Sequence, residues 1–234
     1  MKCAVEKLAV YVAPTCSDNE ELVSLTDGLV AAAIAIDVSW VKPMQRRRLS
    51  QFAKMVLSCA HAVNANAEPI PVVFSSRHGD LHKTSDLLAQ LVKQEPLSPT
   101  QFGLSVHNAV VGLLSILTHN TAPITAIAGG KDSLSAALSE AYMQLHQGHT
   151  DSVMVIHGDR CLPQLYDSFA DEPQIDHCVA FILSKTPHTS NTWLEHMTDA
   201  QVPQVDANLH ALQFANAVIS RKPTVLGSWR VTHG

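Results

Sequence analysis

Five short apolar runs, Leu8–Val12, Val72–Ser75, Ile124–Ala128, Val153–His157 and Val179–Leu183, are separated by longer stretches of helical periodicity. Alternation of this kind predicts an α/β fold in layers. Leu49, Phe52, Ala53, Val56, Leu57, Ala60 and Val63 recur at offsets 0, 3, 4, 7, 8, 11 and 14, which puts them on one face of a helix. The stretch Leu104–Thr118 has no polar face, since Val106, Ala109, Val110, Val111, Leu113, Leu114, Ile116 and Leu117 surround it. A helix apolar all round is expected to be buried on all sides. Leu134, Ala137, Leu138, Ala141 and Leu145 make another one-sided helix, with Asp132 as its N-cap and Gly148 just past its end. Its other face carries the small Ser135, Ala136 and Ser139, so close packing is possible. Beyond Leu183 the chain turns polar and is punctuated by Pro187 and Pro203, as a surface excursion would be. An amphipathic stretch, Ala207–Ile219, and a strand candidate, Thr224–Trp229, then return to the core. The expected organisation is a domain over 1–184 and a C-terminal excursion, 185–234, packing back on it.

The strand at Ile124–Ala128 runs into Gly129, Gly130, Lys131 and Asp132 and straight on into a helix. A sharp strand-to-helix turn is a common way to present a nucleophile where backbone N–H groups stabilise developing negative charge. No cysteine or activated serine stands at this turn. A phosphate-binding loop fails on spacing, because the pattern needs a glycine where Thr125 stands. The turn reads most simply as a tight glycine entry to a helix.

With 234 residues, 46% hydrophobic and 16% charged, the chain can bury one sizeable core. Its longest apolar run, Leu29–Ile36, falls well short of the roughly 20 residues of a membrane helix. Glu6 interrupts any signal-peptide core, so a cytoplasmic protein without a membrane span is expected. Cys3, Cys16, Cys59, Cys161 and Cys178 are widely spaced and form no C-x-x-C pair, which argues against a disulfide framework and a zinc knuckle. A formal charge of −5 argues against a general nucleic-acid binder. The local exception is basic: Lys42, Arg46, Arg47, Arg48 and Lys54.

Several residues invite a chemical reading. His78 and His82 have the i, i+4 spacing of helical zinc ligands, but no third ligand follows from spacing, and a loop leading to a helix capped by Asp80 accounts for them; no metal or cofactor is expected. His146 and His149 flank the helix-ending Gly148, where a cation suits the dipole. His107 and Asn108 fall inside an apolar helix, either as a satisfied core pair or as the lining of a cavity or interface. Arg46, Arg47 and Arg48 open a predicted helix, where each positive charge opposes the dipole by roughly 0.3–1 kcal/mol. They are either a solvated or internally paired face or a contact for an acidic partner. Cys59 falls in a buried helical pattern, and Cys161, just past a strand end, is the cysteine to test for reactivity.

Four stretches, PMQRRRLSQFAKMVLSCAHAV, VFSSRHGDLHKTSDLL, EPLSPTQFGLSVHNAVVGLLSI and TAIAGGKDSLSAALSEAYMQLHQG, resemble in order the N-terminal half of β-ketoacyl synthases. More closely, they are similar to the short ketosynthase-like proteins that act as chain-length-factor partners in aryl polyene gene clusters. The resemblance covers Pro43–Gly158, and SRHGDL and SPTQFGLSVHNA are its most specific pieces. It implies a thiolase-like half, a mixed five-stranded sheet layered between helices. Counting back from Gly148, the family's nucleophilic cysteine matches Gly130 or Lys131, neither of which can form an acyl thioester. The family's HGTGT and glycine-rich NSFGFGG motifs, which carry two histidines, are absent from this sequence.

The resemblance therefore implies a catalytically silent chain-length factor that pairs as a heterodimer with an active ketosynthase, shapes its acyl cavity and meets acyl carrier protein through the complex. The helix over Leu104–Thr118 would line the acyl tunnel or the interface, with Phe102, Leu104, His107, Asn108 and Val111 as candidate residues, and Arg46–Arg48 would contact the carrier or the partner. Two alternatives stand beside it: an acyl-transfer or hydrolytic enzyme using another nucleophile, such as Cys161 or a serine, and a purely structural subunit that stabilises its ketosynthase.

Overall fold

In the computed structural model, residues 2–14, 19–148, 150–197 and 209–234 are described. The expectations for Cys16, His149, Pro203 and the start of the Ala207–Ile219 stretch lie outside them. In chain order the elements are β1 (Lys2–Val12), α1 (Glu20–Val30), α2 (Pro43–Arg46), α3 (Gln51–Val63), β2 (Val72–Ser75), α4 (Leu81–Val92), α5 (Pro99–Gly103), α6 (Ala109–Thr118), β3 (Ile124–Ile127), α7 (Ser133–His146), β4 (Ser152–Asp159), β5 (His177–Ser184), β6 (Thr192–His196), α8 (His210–Ser220), β7 (Thr224–Leu226) and β8 (Trp229–His233). Among the described residues, no helix is long and apolar enough to cross a membrane.

One mixed sheet of eight strands, ordered β3-β2-β4-β5-β1-β6-β8-β7, carries these elements. β2 runs parallel to both β3 and β4, and the other pairings are antiparallel. The α/β class is as expected; the strand number is eight rather than five. The apolar runs are unbroken because the sheet is covered on both faces, and side chains alternate between two cores. Val73, Val153, Val155, Val179, Phe181 and Leu183 join α7 and α8 on one side, whereas Val72, Phe74, Met154, Ile156, Cys178 and Ala180 join α3 and α6 on the other.

The three additional strands come from the C-terminal segment. Residues 192–196, expected within a surface excursion, form β6, which pairs with β1 and β8. Strand polarity hid it: Thr192, Glu195 and His196 surround a wholly buried Leu194. The Thr224–Trp229 candidate is a hairpin, β7 and β8, turned at Gly227 with φ +57°.

Two helices exchange the burial expected of them. α3 is enclosed, with Met55, Val56, Leu57 and Cys59 fully inside, so its buried surface extends beyond the one predicted stripe. The helix predicted over Leu104–Thr118 forms only from Ala109, as α6, with residues 104–108 a turn after α5; α6 buries Val110, Val111 and Leu114 while Ile116 is 65% exposed. Ile116 is not covered by the described residues.

Capping explains several boundaries. Ser50 accepts the Ala53 N–H at 3.0 Å to start α3, and Asp80 accepts that of Lys83 at 3.4 Å to start α4, as expected. Asp132 makes no side-chain cap at α7. Ser133 closes that turn instead, its hydroxyl accepting the Gly129 N–H at 3.0 Å and donating to the Gly130 carbonyl at 2.7 Å. Gly148 follows α7 at φ +80°, as expected of a residue just past a helix end.

Because β6 joins the central strand β1, residues 185–234 should share one cooperative unit with the rest. Leu194→Ala is expected to cost about 2–5 kcal/mol in a single unfolding transition followed by denaturant. Two separate transitions, or an unchanged midpoint, would show that the C-terminal strands do not share the core.

Candidate functional site

The glycine turn stands at the C-terminal end of the edge strand β3. Gly130 has φ +62°, and residues Gly130–Asp132 form a single 3-10 turn that delivers the chain into α7. A side chain at Gly130 would meet nothing within 4 Å, so the site has room for one although the backbone conformation favours glycine. Lys131 points its ammonium at residue 171, donating to the Asp171 carbonyl at 3.0 Å with a carboxylate oxygen 3.7 Å away.

Beside the turn lies a small polar pocket whose walls include Gly130, Lys131, Arg77, His157, His177 and His210. Strand alternation brings the first two histidines together. His157 and Asp159 share a face of β4, His177 sits opposite Asp159 on β5, and the two imidazole centroids are 5.7 Å apart. His210 enters from the start of α8, after Leu209 in a left-handed conformation at φ +57°. It is 95% buried (5% exposed), its Nδ1 has no hydrogen-bond partner among the described residues, and burial pushes its pKa down. Sequence reasoning missed this cluster, because three histidines on separate elements leave no spacing signal.

Asp159 organises this end of the sheet. Its carboxylate accepts the Ser76 hydroxyl at 2.8 Å and the backbone N–H groups of Arg77 and His78 at 3.0 and 3.1 Å. Another of its oxygens stands 3.5 Å from His157 Nε2, while His157 Nδ1 is 2.9 Å from the Ser75 hydroxyl. Ser75, His157 and Asp159 therefore have the connectivity of a nucleophile–base–acid relay. Burial decides against that use: Ser75 is wholly inaccessible inside β2, and His157, 7% exposed, has its pKa lowered by burial to about 4. An attacking group sealed inside a sheet cannot reach a substrate, so the relay is structural.

Cys161 fares no better as a nucleophile. Burial and the neighbouring Asp176 carboxylate push its thiol up to about 11, so at neutral pH the reactive thiolate is scarce. Cys3 is pushed up to about 12 by burial, and Cys178 is raised as well. Cys59 lies in the core, its thiol 3.6 Å from the Cys178 carbonyl.

The remaining candidates fall in separate places. His78 and His82 do not converge, since His82 Nε2 is 2.8 Å from the Cys161 carbonyl, and among the described residues no group of histidine, cysteine or carboxylate side chains could hold a metal ion. His146 is bonded to the Tyr142 carbonyl and stacked on the Tyr142 ring. His107 and Asn108 are not a core pair: His107 Nε2 lies 2.9 Å from the Ser76 carbonyl, whereas Asn108 is exposed at the start of α6. Phe102 is 61% exposed and Leu104 half-buried, but Val111 is wholly inside this chain's own core. A narrow apolar slot opens between α3 and α6, lined by Leu49, Phe52, Leu104, His107, Val110 and Leu113, with Arg48 and Lys83 also in its wall.

Arg46, Arg47 and Arg48 do not open a helix. They close the four-residue α2 and precede the Ser50 cap of α3, so Arg46 complements the α2 dipole instead of opposing it. Among the described residues none of the three is in an ion pair.

Two titrations follow. With its folded pKa near 4 and an unfolded value near 6.5, His157 binds fewer protons in the folded state, so its contribution is present above about pH 6.5 and lost as pH falls towards 4, by roughly 3 kcal/mol in total. Chemical denaturation across that window should show the slope in the wild type and a shallower one in His157→Gln; equal slopes would contradict the assignment. Alkylation of Cys161, followed by peptide mass, should be slow at pH 8 and rise about tenfold per pH unit towards 11. Fast labelling at pH 7 would reinstate it as a nucleophile.

None of the curated proteins matches this chain. Among solved structures, a chain of the ketosynthase (ApeO) in complex with its chain length factor (ApeC) from Xenorhabdus doucetiae is similar, with TM-score 0.73 and 23% identity over 99% of this chain and 98% of that one. The ishigamide ketosynthase/chain length factor gives TM-score 0.61 and 14% identity over 85% of this chain and 68% of that one. A β-ketoacyl synthase from Burkholderia phymatum STM815 gives 0.63 and 10% over 94% and 70%. At such identities the likeness establishes the ketosynthase fold. The family described as "Beta-ketoacyl synthase, N-terminal domain" matches residues 16–233, well beyond the Pro43–Gly158 that the sequence motifs cover. The chain therefore belongs to the β-ketoacyl synthase family through its N-terminal domain.

Proposed function

We propose that this chain is a catalytically silent, chain-length-factor-like subunit that pairs with an active β-ketoacyl synthase and shapes its acyl cavity during polyene or fatty-acyl synthesis. The observation that supports this reading is the glycine turn, where Gly130 and Lys131 stand without a cysteine and Lys131 is engaged with Asp171; the resemblance puts the family's nucleophilic cysteine at this turn. Neither the sealed Ser75 nor the high-pKa Cys161 offers a substitute nucleophile.

Pairing is supported by the side of the molecule next to the turn. Among the described residues β3 is the outermost strand, with β2 alone beside it, and α6 packs over β3 with Ile116 exposed and Leu113 and Leu117 partly so. An uncovered strand edge beside an apolar helix is a surface that calls for protein on it. Two of the similar structures are described as ketosynthases with chain length factors, which makes an active ketosynthase the natural partner. On this reading Phe102, exposed on α5, and Leu104 are the side chains that reach the partner's cavity, with His107 and Asn108 bordering them and Val111 supporting them from behind. Arg46, Arg47 and Arg48, in no ion pair among the described residues, supply an attractive surface for the acidic helices of an acyl carrier protein.

Two experiments separate this reading from its alternatives. Intact-mass analysis after incubation with acyl-carrier-protein thioesters should show an acyl adduct on the active ketosynthase and none on this chain; an adduct here would make it an acyltransferase. Phe102→Ala, in an intact complex, should shift products towards longer chains, and Leu104→Phe should shorten them. An unchanged distribution from both would leave a purely stabilising subunit.

A further inference from the structure

Between the 3-10 helix Gln164–Phe169 and β5, the chain crosses the open end of the three-histidine pocket, with Glu172, Pro173, Gln174 and Ile175 forming one wall. We propose that Arg77 and Lys131 form an ionic clasp that holds residues 170–174 as a strap across this pocket, and that releasing the clasp opens it to solvent.

The strap is fixed differently along its length. Towards β5 it is anchored firmly: Ile175 is packed in the core, and Asp176 accepts from Arg160 Nε at 2.9 Å and from the Cys161 N–H at 2.8 Å. Towards its middle, the holds from other parts of the fold are charges. Arg77 reaches from the loop after β2, Nη1 donating to Glu172 at 2.8 Å and Nη2 to an Asp171 oxygen at 3.0 Å. Lys131 reaches from the glycine turn to the carbonyl and carboxylate of the same Asp171. That arginine holds the Asp171 carboxyl below the usual carboxylate range.

On the inner side the middle of the strap gains little. His210 Nδ1 has no hydrogen-bond partner among the described residues, and the bond that His177 makes, to the Ile175 carbonyl, belongs to the anchored end. Asp171 is 52% exposed and Lys131 32%, so salt screens that half of the clasp, whereas Arg77 and Glu172, 18% and 16% exposed, form the half it screens less. The strap is thus poised to open while β4 and β5 stay in place. Lys131, at the turn where the family carries its nucleophile, is here a positioning residue for a cover.

Histidine carbethoxylation by diethyl pyrocarbonate, mapped by peptide mass on the full chain near pH 7, tests this. His177 and His210 should be protected in the wild type and react about tenfold faster in Asp171→Asn and in the Arg77→Gln/Lys131→Gln double variant, with the exposed His188 as an unchanged reference. Raising sodium chloride from about 0.05 to about 0.5 M should move the wild type the same way. Amide exchange of 170–174 should accelerate while that of β4 and β5 does not. If the double variant loses protection in β4 and β5, Asp171→Asn and the salt series decide alone. Unchanged rates in both would overturn the clasp.

Discussion

A sheet edge left open beside an uncovered apolar helix constrains everything else in this protein. β3 carries Ile124, Thr125, Ala126 and Ile127, with one side paired to β2 and no strand on the other among the described residues. Strand edges of soluble proteins are commonly guarded by charge, proline or a bulge, and these four residues include none of them. α6 lies over this edge, with Val110, Val111 and Leu114 in the core it shares with α3 and Ile116 turned outward, 65% exposed. On the proposed reading, the open edge and Ile116 are what a partner subunit covers.

The same end of the sheet explains why the subunit is read as silent. The C-terminal ends of the parallel strands β2, β3 and β4 bring together the glycine turn, the loop after β2 and the Asp159 carboxylate. Asp159 gathers the hydroxyl of Ser76, two backbone N–H groups and the His157 ring, so the loop that would frame a reacting group is held by a buried acceptor. Ser75 and His157 are consumed in that network. What faces the pocket includes Gly130, the ion-paired Lys131 and three imidazoles, beside Arg77, Asp159 and Glu172. On the proposed reading an active ketosynthase would carry an acylatable group at the turn, and Gly130 and Lys131 supply none.

Much of this was legible in the sequence where chemistry repeats locally. The five central strands stand out because burial on both faces makes them continuous apolar runs, and the turn is marked by adjacent glycines. The cap at Asp80 follows from a single polar residue placed before an apolar periodicity. What was not legible depends on long-range pairing. β6 alternates polar residues around one buried leucine, Leu194, and only the presence of β1 alongside makes it a strand. The His157–His177–His210 pocket assembles from β4, β5 and α8, separated too widely in sequence for any motif. The enclosure of α3 and the exposure of α6 were interchanged, because hydropathy reports what a helix can bury and leaves open which molecule buries it. Arg46–Arg48 show the same limit: a separate short helix ending at Arg46, with the next starting only at Gln51, turns an unfavourable dipole contact into a favourable one.

The central claim is that β3 and α6 form the face covered by an active ketosynthase. Hydrogen exchange of this chain, alone and mixed with a ketosynthase from the same source, tests it most directly. The account predicts that the amides of Ile124–Ile127 and of α6 slow in the mixture while those of β7 and β8, at the far rim, keep their rates. Protection confined to the far rim, or no change at any amide despite a stable complex, would contradict it.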